Sequence, residues 1–273
     1  MKEGVPPDGE ARAGGAFCDP ELVINYDPDG PPPPISRAFG KLSEAGTYVT
    51  TVTQPELFRS YLVEQLTLLL DEYPVRVEVR RSSSEIPYAY VWDPQQAEGL
   101  EEISPAELAR WFPSPRLQNI GDEVADGELF APGSLRPLAL FDAQRTDYSL
   151  KRIAHYTGTP AEHLQQYVLF TNYHRYVDAF CDWSLERLQS DGPYTGLSVP
   201  GGLMIDAKTK DARKKIDAAP WRKHQMPAYH LMREGSCGIT LVNIGVGPSN
   251  AKTITDHLAV LCLLYTSPSP RDS

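Results

Sequence analysis

The stretch "ITLVNIGVGPSNAKT", residues 239–253, constrains the fold of this chain more than any other segment. Its β-branched start predicts a buried strand, Gly245 and Gly247 predict a tight turn, and "NAKTITDHLAVL" predicts a helix. Free N–H groups at the start of a helix attract an anion, and Ser249 can cap this helix. The pattern predicts either a turn that binds an anion or a sugar, or an ordinary tight connection.

This turn does not match the two common phosphate-binding motifs. A P-loop has the pattern G-x-x-x-x-G-K-[ST], but Ala251 and Val246 stand where its two glycines should be. The dinucleotide pattern G-x-G-x-x-G fails because Asn250 occupies the third glycine position. These mismatches argue against an unrelated nucleotide-binding protein of either type.

A second glycine turn, "SVPGG", ends in Gly201 and Gly202. It follows the predicted strand "YTGLSV", and "AYHLMRE" and "GITLVNI" predict two more strands. Ligands of α/β domains gather at the carboxyl ends of strands. Two glycine turns at strand ends in one sheet therefore support each other, although "SVPGG" alone is also typical of a plain loop.

Pro, Gly and Asp dominate residues 1–34, which end in "PPPP". Four consecutive prolines hold an extended polyproline conformation. We assign residues 1–35 to a linker or surface arm and expect ordered structure to begin around Ala38.

Residues 36–165 predict an α+β domain. "TYVTTVT" predicts a strand, after which Thr53 and Glu56 stand at capping-box spacing for a helix that Pro74 ends. "VRVEV" alternates as a strand with one solvated face does. Strand, helix and strand in close succession are typical of an α+β layer.

Helical spacing returns later in the chain. A short helix is predicted over residues 104–112 in an otherwise irregular segment, 93–142, and another at "DYSLKRIAHYTG". A further helix is predicted to begin at Thr159 and to run through "VLFTNYHRYVDAFCDWSLERLQ". We place the boundary to the α/β domain near Gln165.

The net charge of -10 argues against a nucleic-acid partner, because phosphate contacts require clustered Lys and Arg. No apolar run spans a bilayer and the N-terminus lacks the apolar core of a secretory signal, so we predict a cytoplasmic protein. The four cysteines are scattered, as is usual in a reducing compartment.

The other polar residues indicate no metal site and no acid–base pair. His224 and His230 have no carboxylate or thiol at ligand spacing, and Glu101–Glu102 lies in a solvated segment. Arg175, in an aromatic stretch, is expected to form a salt bridge rather than to face a phosphate.

Several long blocks resemble bacterial AMP nucleosidase, in order from Gly14 to Leu261. The blocks are "RAFGKLSEAGTYVTTVTQPELFRSYLVEQLTLL", "EIPYAYV", "IGDEVADG", "HYTGTPAEH", "VLFTNYHRYVD", "KHQMPAYHL" and "GITLVNIGVGPSNAKTITDHLAVL".

The resemblance implies hydrolysis of AMP to adenine and ribose 5-phosphate without a cofactor. It implies an α+β regulatory domain at residues 36–165 and, at 166–261, the first part of a three-layer α/β domain like the purine nucleoside phosphorylases. It also implies a homohexamer, with ATP as an activator and phosphate as an inhibitor. By position, ribose and phosphate are expected at Gly201, Gly202, Gly245, Gly247, Ser249 and Asn250.

The resemblance breaks at "CLLYTSPSPRDS", residues 262–273, which reads as a non-native tail from adapter read-through. The family's Met-Glu pair for the ribose hydroxyls and its purine-protonating aspartate have no match here. We therefore assign no catalytic residue and expect this chain to release no adenine. The alternative is a non-catalytic module that binds a nucleotide or phosphate and mediates oligomerisation.

Overall fold

The structure is a computed structural model that describes residues 17–38, 42–91, 104–114, 135–139 and 141–265. The chain forms two compact units, Met1–Tyr148 and Ser149–Ser273. Most of the irregular segment predicted over 93–142 and the tail beyond Tyr265 lie outside the described residues. The domain boundary near Gln165 stays a prediction.

Within its described residues, the first unit contains four strands and three complete helices. The strands are β1 (Cys18–Tyr26), β2 (Gly46–Thr51), β3 (Val75–Glu85) and β4 (Arg136–Pro137), and the helices are α1 (Arg59–Glu72), α2 (Tyr88–Val91) and α3 (Pro105–Trp111). The sheet order is β3–β1–β2–β4, with β1 antiparallel to both neighbours and β4 parallel to β2. This is the predicted α+β class.

Strand β1 corrects the expectation that order begins around Ala38. It is an inner strand of its sheet, and Leu22, Val23 and Ile24 are buried. The apolar run "LVI" drives this burial, while Pro20 lies beside a register shift in the pairing with β3. The many prolines and glycines of residues 1–34 concealed this short apolar run.

Helix α1 begins six residues later than its predicted capping box. The Thr53 hydroxyl donates to the Asp147 carboxylate at 2.6 Å, so it does not cap the helix. The helix ends before Pro74, as predicted. Behind α1, the core of the unit consists of Ile24, Tyr26, Ala38, Leu42, Tyr48, Leu69 and Tyr73.

Helix α3 confirms the short helix predicted over residues 104–112. Its capping box is reciprocal: the Ser104 hydroxyl accepts from the Glu107 backbone N–H, and the Glu107 carboxylate accepts from the Ser104 backbone N–H.

The second unit contains five strands. They are β5 (Tyr167–Thr171), β6 (Tyr194–Val199), β7 (Leu203–Ile205), β8 (Ala228–Arg233) and β9 (Ile239–Asn243). The remaining helices are α4 (Ala143–Thr157), which starts before the division between the units, α5 (His174–Gln189), α6 (Ala212–Ala218) and α7 (Pro248–Tyr265). The strands and the helix predicted after Gly192 are thereby confirmed.

The sheet of the second unit is mixed, in the order β5–β9–β8–β6–β7. Strands β5 and β9 are parallel, β8 is antiparallel to β9 and to β6, and β7 is antiparallel to β6. Strands β5, β9 and β6 therefore run in one direction, and their carboxyl ends share one edge of the sheet.

The prediction of one long helix from Thr159 is wrong. The chain instead makes a short 3-10 turn at Ala161–His163, then strand β5, and only then helix α5. Aromatic residues fit both helical spacing and an edge strand, so the periodicity alone merged the two elements.

The two faces of this sheet differ in polarity. One face packs against α5 through residues such as Val177, Leu197 and Leu241. On the opposite face, Ser198, His230 and Thr240 lie side by side on three neighbouring strands and are buried.

Strand β5 lies at one edge, and within the described residues it pairs with β9 alone. Tyr167, Leu169 and Phe170 on this strand are 59%, 51% and 44% exposed. Every helix in the described part of the chain is too short or too polar to cross a membrane.

Candidate functional site

Both glycine turns lie at the same edge of the second unit's sheet. Gly201 and Gly202 connect β6 to β7, and Gly245 and Gly247 connect β9 to α7. Strand β8 separates β6 from β9, so the two strand ends are about 10 Å apart. The structure thus confirms the predicted placement of the turns, while their contacts with a ligand stay a prediction.

Close packing explains the glycine at position 201. Its φ is 90°, and an added Cβ would lie 2.6 Å from a ring carbon of Pro220. The Gly201 N–H donates to the carbonyl of Gly158 at 2.8 Å. Only glycine combines this conformation with this approach, so Gly201 is a packing residue irrespective of any ligand.

The side chain of Asn250 holds the second turn closed. Its Nδ2 donates to the carbonyl of Ile244, and its Oδ1 accepts from Nε2 of Gln225, both at 2.9 Å. The Gly245 N–H donates to the side-chain oxygen of Asn243 at 3.1 Å. Asn250 therefore shapes the turn, and its predicted direct contact with a ligand remains untested.

A cavity of about 290 Å³ opens at this edge of the sheet. Its volume is close to the lower end of the range for small-molecule sites. It is lined by Trp221, Arg222, His224, Gln225, Pro227, Asn243 and Gly245. Of the predicted site residues, only Gly245 is part of this lining.

The lining residue Trp221 contacts two flat side chains. The His174 ring is stacked on it with 4.1 Å between centroids and a 19° interplanar angle. The guanidinium carbon of Arg222 lies 4.2 Å from the Trp221 ring centroid. Trp221 therefore makes a ring-stacking contact and a cation–π contact in the wall of the cavity.

His224 belongs to the lining but not to a metal site. Its Nδ1 lies 3.3 Å from the backbone carbonyl of His155, which can only accept, so this nitrogen carries the proton. Among the described residues, no group of three His, Cys, Asp or Glu side chains could hold a metal ion.

His230 has a structural position in β8. Its Nδ1 lies 2.8 Å from the Thr240 hydroxyl and its Nε2 lies 2.8 Å from the Thr159 hydroxyl. Burial, assisted by the nearby His163, lowers the pKa of His230 to about 3. Burial also lowers the pKa of His163, whose Nδ1 lies 2.8 Å from the Ser198 hydroxyl. His230 is therefore neutral at physiological pH.

The salt bridge expected for Arg175 is absent from the described part of the chain. The guanidinium carbon of Arg175 lies 5.1 Å from the Tyr173 ring centroid and 4.8 Å from the Tyr176 ring centroid. A guanidinium N–H of Arg175 donates a hydrogen bond to the Tyr176 hydroxyl. Sequence reasoning also missed most of the cavity lining. The signal was "WRKHQMP", an aromatic and cationic loop between helix α6 and strand β8, but no spacing rule singles it out.

The comparisons relate the chain to proteins that are named for their action on AMP. Residues 1–134 match the family described as "Bacterial AMP nucleoside phosphorylase N-terminus". Over 262 residues the chain is 52% identical to AMP nucleosidase from Escherichia coli K12, and equally to that from Escherichia coli O157:H7. These matches confirm the resemblance to bacterial AMP nucleosidase.

The match covers 96% of this chain and 54% of each relative. The chain thus spans about half the length of the curated relatives that it matches. Its α+β first unit and α/β second unit agree with the fold class that the resemblance implied.

Proposed function

We propose that this chain is part of an AMP nucleosidase, which hydrolyses AMP to adenine and ribose 5-phosphate. The observation that supports this proposal most directly is the 52% identity to AMP nucleosidase over nearly the whole chain. The cavity beside Gly245, at the carboxyl ends of β9 and its parallel neighbours, is the proposed site for the sugar phosphate. The proposal requires no cofactor.

The reaction sets two requirements for an active site. Adenine leaves poorly as an anion, so an acid must protonate it while positive charge develops on the ribose. The sugar phosphate must also be held so that water attacks the correct carbon. Among the described residues, the seven that line the cavity include no carboxylic acid, so we assign this cavity to the second requirement.

Binding measurements test the proposal directly. Calorimetric titration of the chain is expected to show binding of AMP and ribose 5-phosphate, and weaker binding of adenosine because it lacks the phosphate. Adenine is followed by chromatography, with the Escherichia coli enzyme as the positive control. We expect AMP to bind, and release of adenine would show that the chain also carries the acid that protonates it. No binding of AMP at millimolar concentrations would overturn the proposal.

A second candidate function is regulation by residues 36–165, with ATP as activator and phosphate as inhibitor. It is supported by the match of residues 1–134 to the family's N-terminal domain. Titration of the chain with ATP tests it, and an absence of heat at millimolar ATP would argue for a purely structural domain. Assembly as a homohexamer and a cytoplasmic location are parts of the same family-based proposal.

A further inference from the structure

We infer that Arg222 is the side chain that recognises the phosphate group in the cavity, and that Trp221 holds its guanidinium in place. The identity of the ligand, a sugar phosphate, rests on the proposed function. The choice of Arg222 rests on the geometry and charge of the cavity.

The first argument is the position of the guanidinium. Arg222 lines the cavity, and its guanidinium carbon lies over the Trp221 ring at 4.2 Å from the centroid. Stacking on an indole fixes the plane of a guanidinium and leaves its N–H groups free at the edge. This orders the side chain before a ligand arrives, which reduces the entropy lost on binding.

The second argument is charge. Arg222 is the one Lys or Arg among the seven lining residues, and within the described residues no carboxylate pairs with it. Three acids on helices α5 and α6, Asp178, Asp182 and Asp217, all pair with Arg213 at 2.8–3.0 Å. The charge of Arg222 is therefore available to an anion.

The third argument is that three other polar side chains of the lining each already use one polar atom within the protein. His224 donates its Nδ1 proton to a backbone carbonyl, Gln225 donates to Asn250, and Asn243 accepts from the Gly245 N–H. Arg222 donates no hydrogen bond within the described part of the chain. Its planar fork of N–H groups matches the oxygens of a phosphate monoester.

The test compares Arg222→Met with Lys223→Met, a neighbouring cation in the same short turn that does not line the cavity. Each protein is titrated with AMP, ribose 5-phosphate, ribose and inorganic phosphate. Arg222→Met is expected to weaken ribose 5-phosphate binding by about tenfold or more, without changing the affinity for ribose. Arg222→Lys is expected to be intermediate, and Lys223→Met to match the wild type.

The outcomes separate this inference from the proposed function. Equal affinity of Arg222→Met and wild type for ribose 5-phosphate would overturn the role of Arg222 and leave the proposed function standing. No binding of AMP or ribose 5-phosphate to the wild type would overturn the proposed function. If inorganic phosphate binds as tightly as ribose 5-phosphate and Arg222→Met abolishes both, Arg222 is an anion ligand and the sugar phosphate is the wrong ligand.

Circular dichroism of each variant excludes loss of folding as the cause. The far-ultraviolet spectrum of Arg222→Met is expected to match that of the wild type, because a methionine side chain can also pack on Trp221. A salt titration adds a second readout, since the affinity of the wild type should fall more steeply with ionic strength than that of Arg222→Met.

Discussion

The Nδ1 atom of His230 lies 2.8 Å from the hydroxyl oxygen of Thr240 on the neighbouring strand. The ring is fully buried and its pKa is lowered to about 3, whereas an unfolded histidine titrates near pH 6.5. The unfolded state therefore binds a proton that the folded state rejects as the pH falls through this window. We predict that His230 alone lowers the free energy of unfolding by about 2 kcal/mol between about pH 7.5 and about pH 5. Guanidinium unfolding at the two pH values measures this.

The matched variant is His230→Met, which removes the titrating group but leaves both hydroxyls with a partner. Thr159 keeps the Thr157 hydroxyl, and Thr240 keeps the backbone N–H of Gln165. When the pH is lowered from about 7.5 to about 5, the free energy of unfolding of the variant should fall by about 2 kcal/mol less than that of the wild type. An equal loss in both proteins would contradict the prediction.

Gly201 and Gly202 form a natural pair for testing the turn after β6. Both have positive φ, 90° and 74°, but an added Cβ meets Pro220 only at Gly201. Gly202→Ala should cost about 1 kcal/mol for its backbone conformation. Gly201→Ala should lower the free energy of unfolding by at least about 2 kcal/mol, because the added Cβ also clashes with Pro220. Urea unfolding of both variants distinguishes the effects, and equal costs would show that Pro220 yields without penalty.

Gln165 is predicted to anchor the segment between α4 and β5. It is 2% exposed, and its Oε1 accepts from the backbone N–H groups of Arg233 and Gly238 at 3.1 and 3.0 Å. Gln165→Leu leaves both donors without this acceptor and should cost about 2–3 kcal/mol. The exposed neighbour Gln166 supplies the control, since Gln166→Leu should change the stability by less than about 0.5 kcal/mol. A small effect of Gln165→Leu would mean that water replaces the amide.

Asp19, on β1, should give the opposite pH dependence from His230. Burial, together with the carboxylates of Asp147 and Asp142, raises the pKa of Asp19 to about 7. The folded state retains a proton that the unfolded carboxyl releases near pH 4, so this residue reduces the stability as pH rises from about 4 to about 7. Asp19→Asn should therefore gain stability relative to the wild type between about pH 5 and about pH 8. Thermal unfolding of both proteins at several pH values measures this. A stability difference between Asp19→Asn and the wild type that does not change with pH would refute the prediction.

Asn250 connects the fold to the proposed binding site. Asn250→Ala removes its bonds to Ile244 and Gln225, so the turn that carries Gly245 is less well fixed. We expect the affinity for ribose 5-phosphate to fall by about threefold to tenfold. Thr255→Ala, on the exposed face of α7, should leave the affinity unchanged. Calorimetry measures both variants, and wild-type affinity in Asn250→Ala would show that the turn is held by other contacts.

Secondary structure was predicted correctly from the sequence where residue spacing and burial agree. The regular alternation of "VRVEV" and the β-branched run "GITLVNI" were correctly read as strands, and Pro74 correctly ended α1. The prediction failed where a distant contact overrides the local pattern. Thr53 has the right spacing for a capping box, but its hydroxyl bonds to Asp147, 94 residues later.

The candidate site was predictable only in outline. Strand order and direction brought the two glycine turns to one edge, as expected from strand-end rules. The cavity lining depends on Trp221, Arg222 and His224, which belong to a loop without periodicity. Their relation to His174, 47 residues earlier than Trp221 in the chain, exists only in three dimensions.

The exposed strand β5 has a practical consequence for handling this protein. No described residue pairs with β5 on the side away from β9, so its main chain there offers donors and acceptors to another extended peptide, and its large apolar side chains favour such contact. Concentrated samples will therefore tend to self-associate through this strand. A charged substitution such as Leu169→Lys is a direct means of keeping them dispersed.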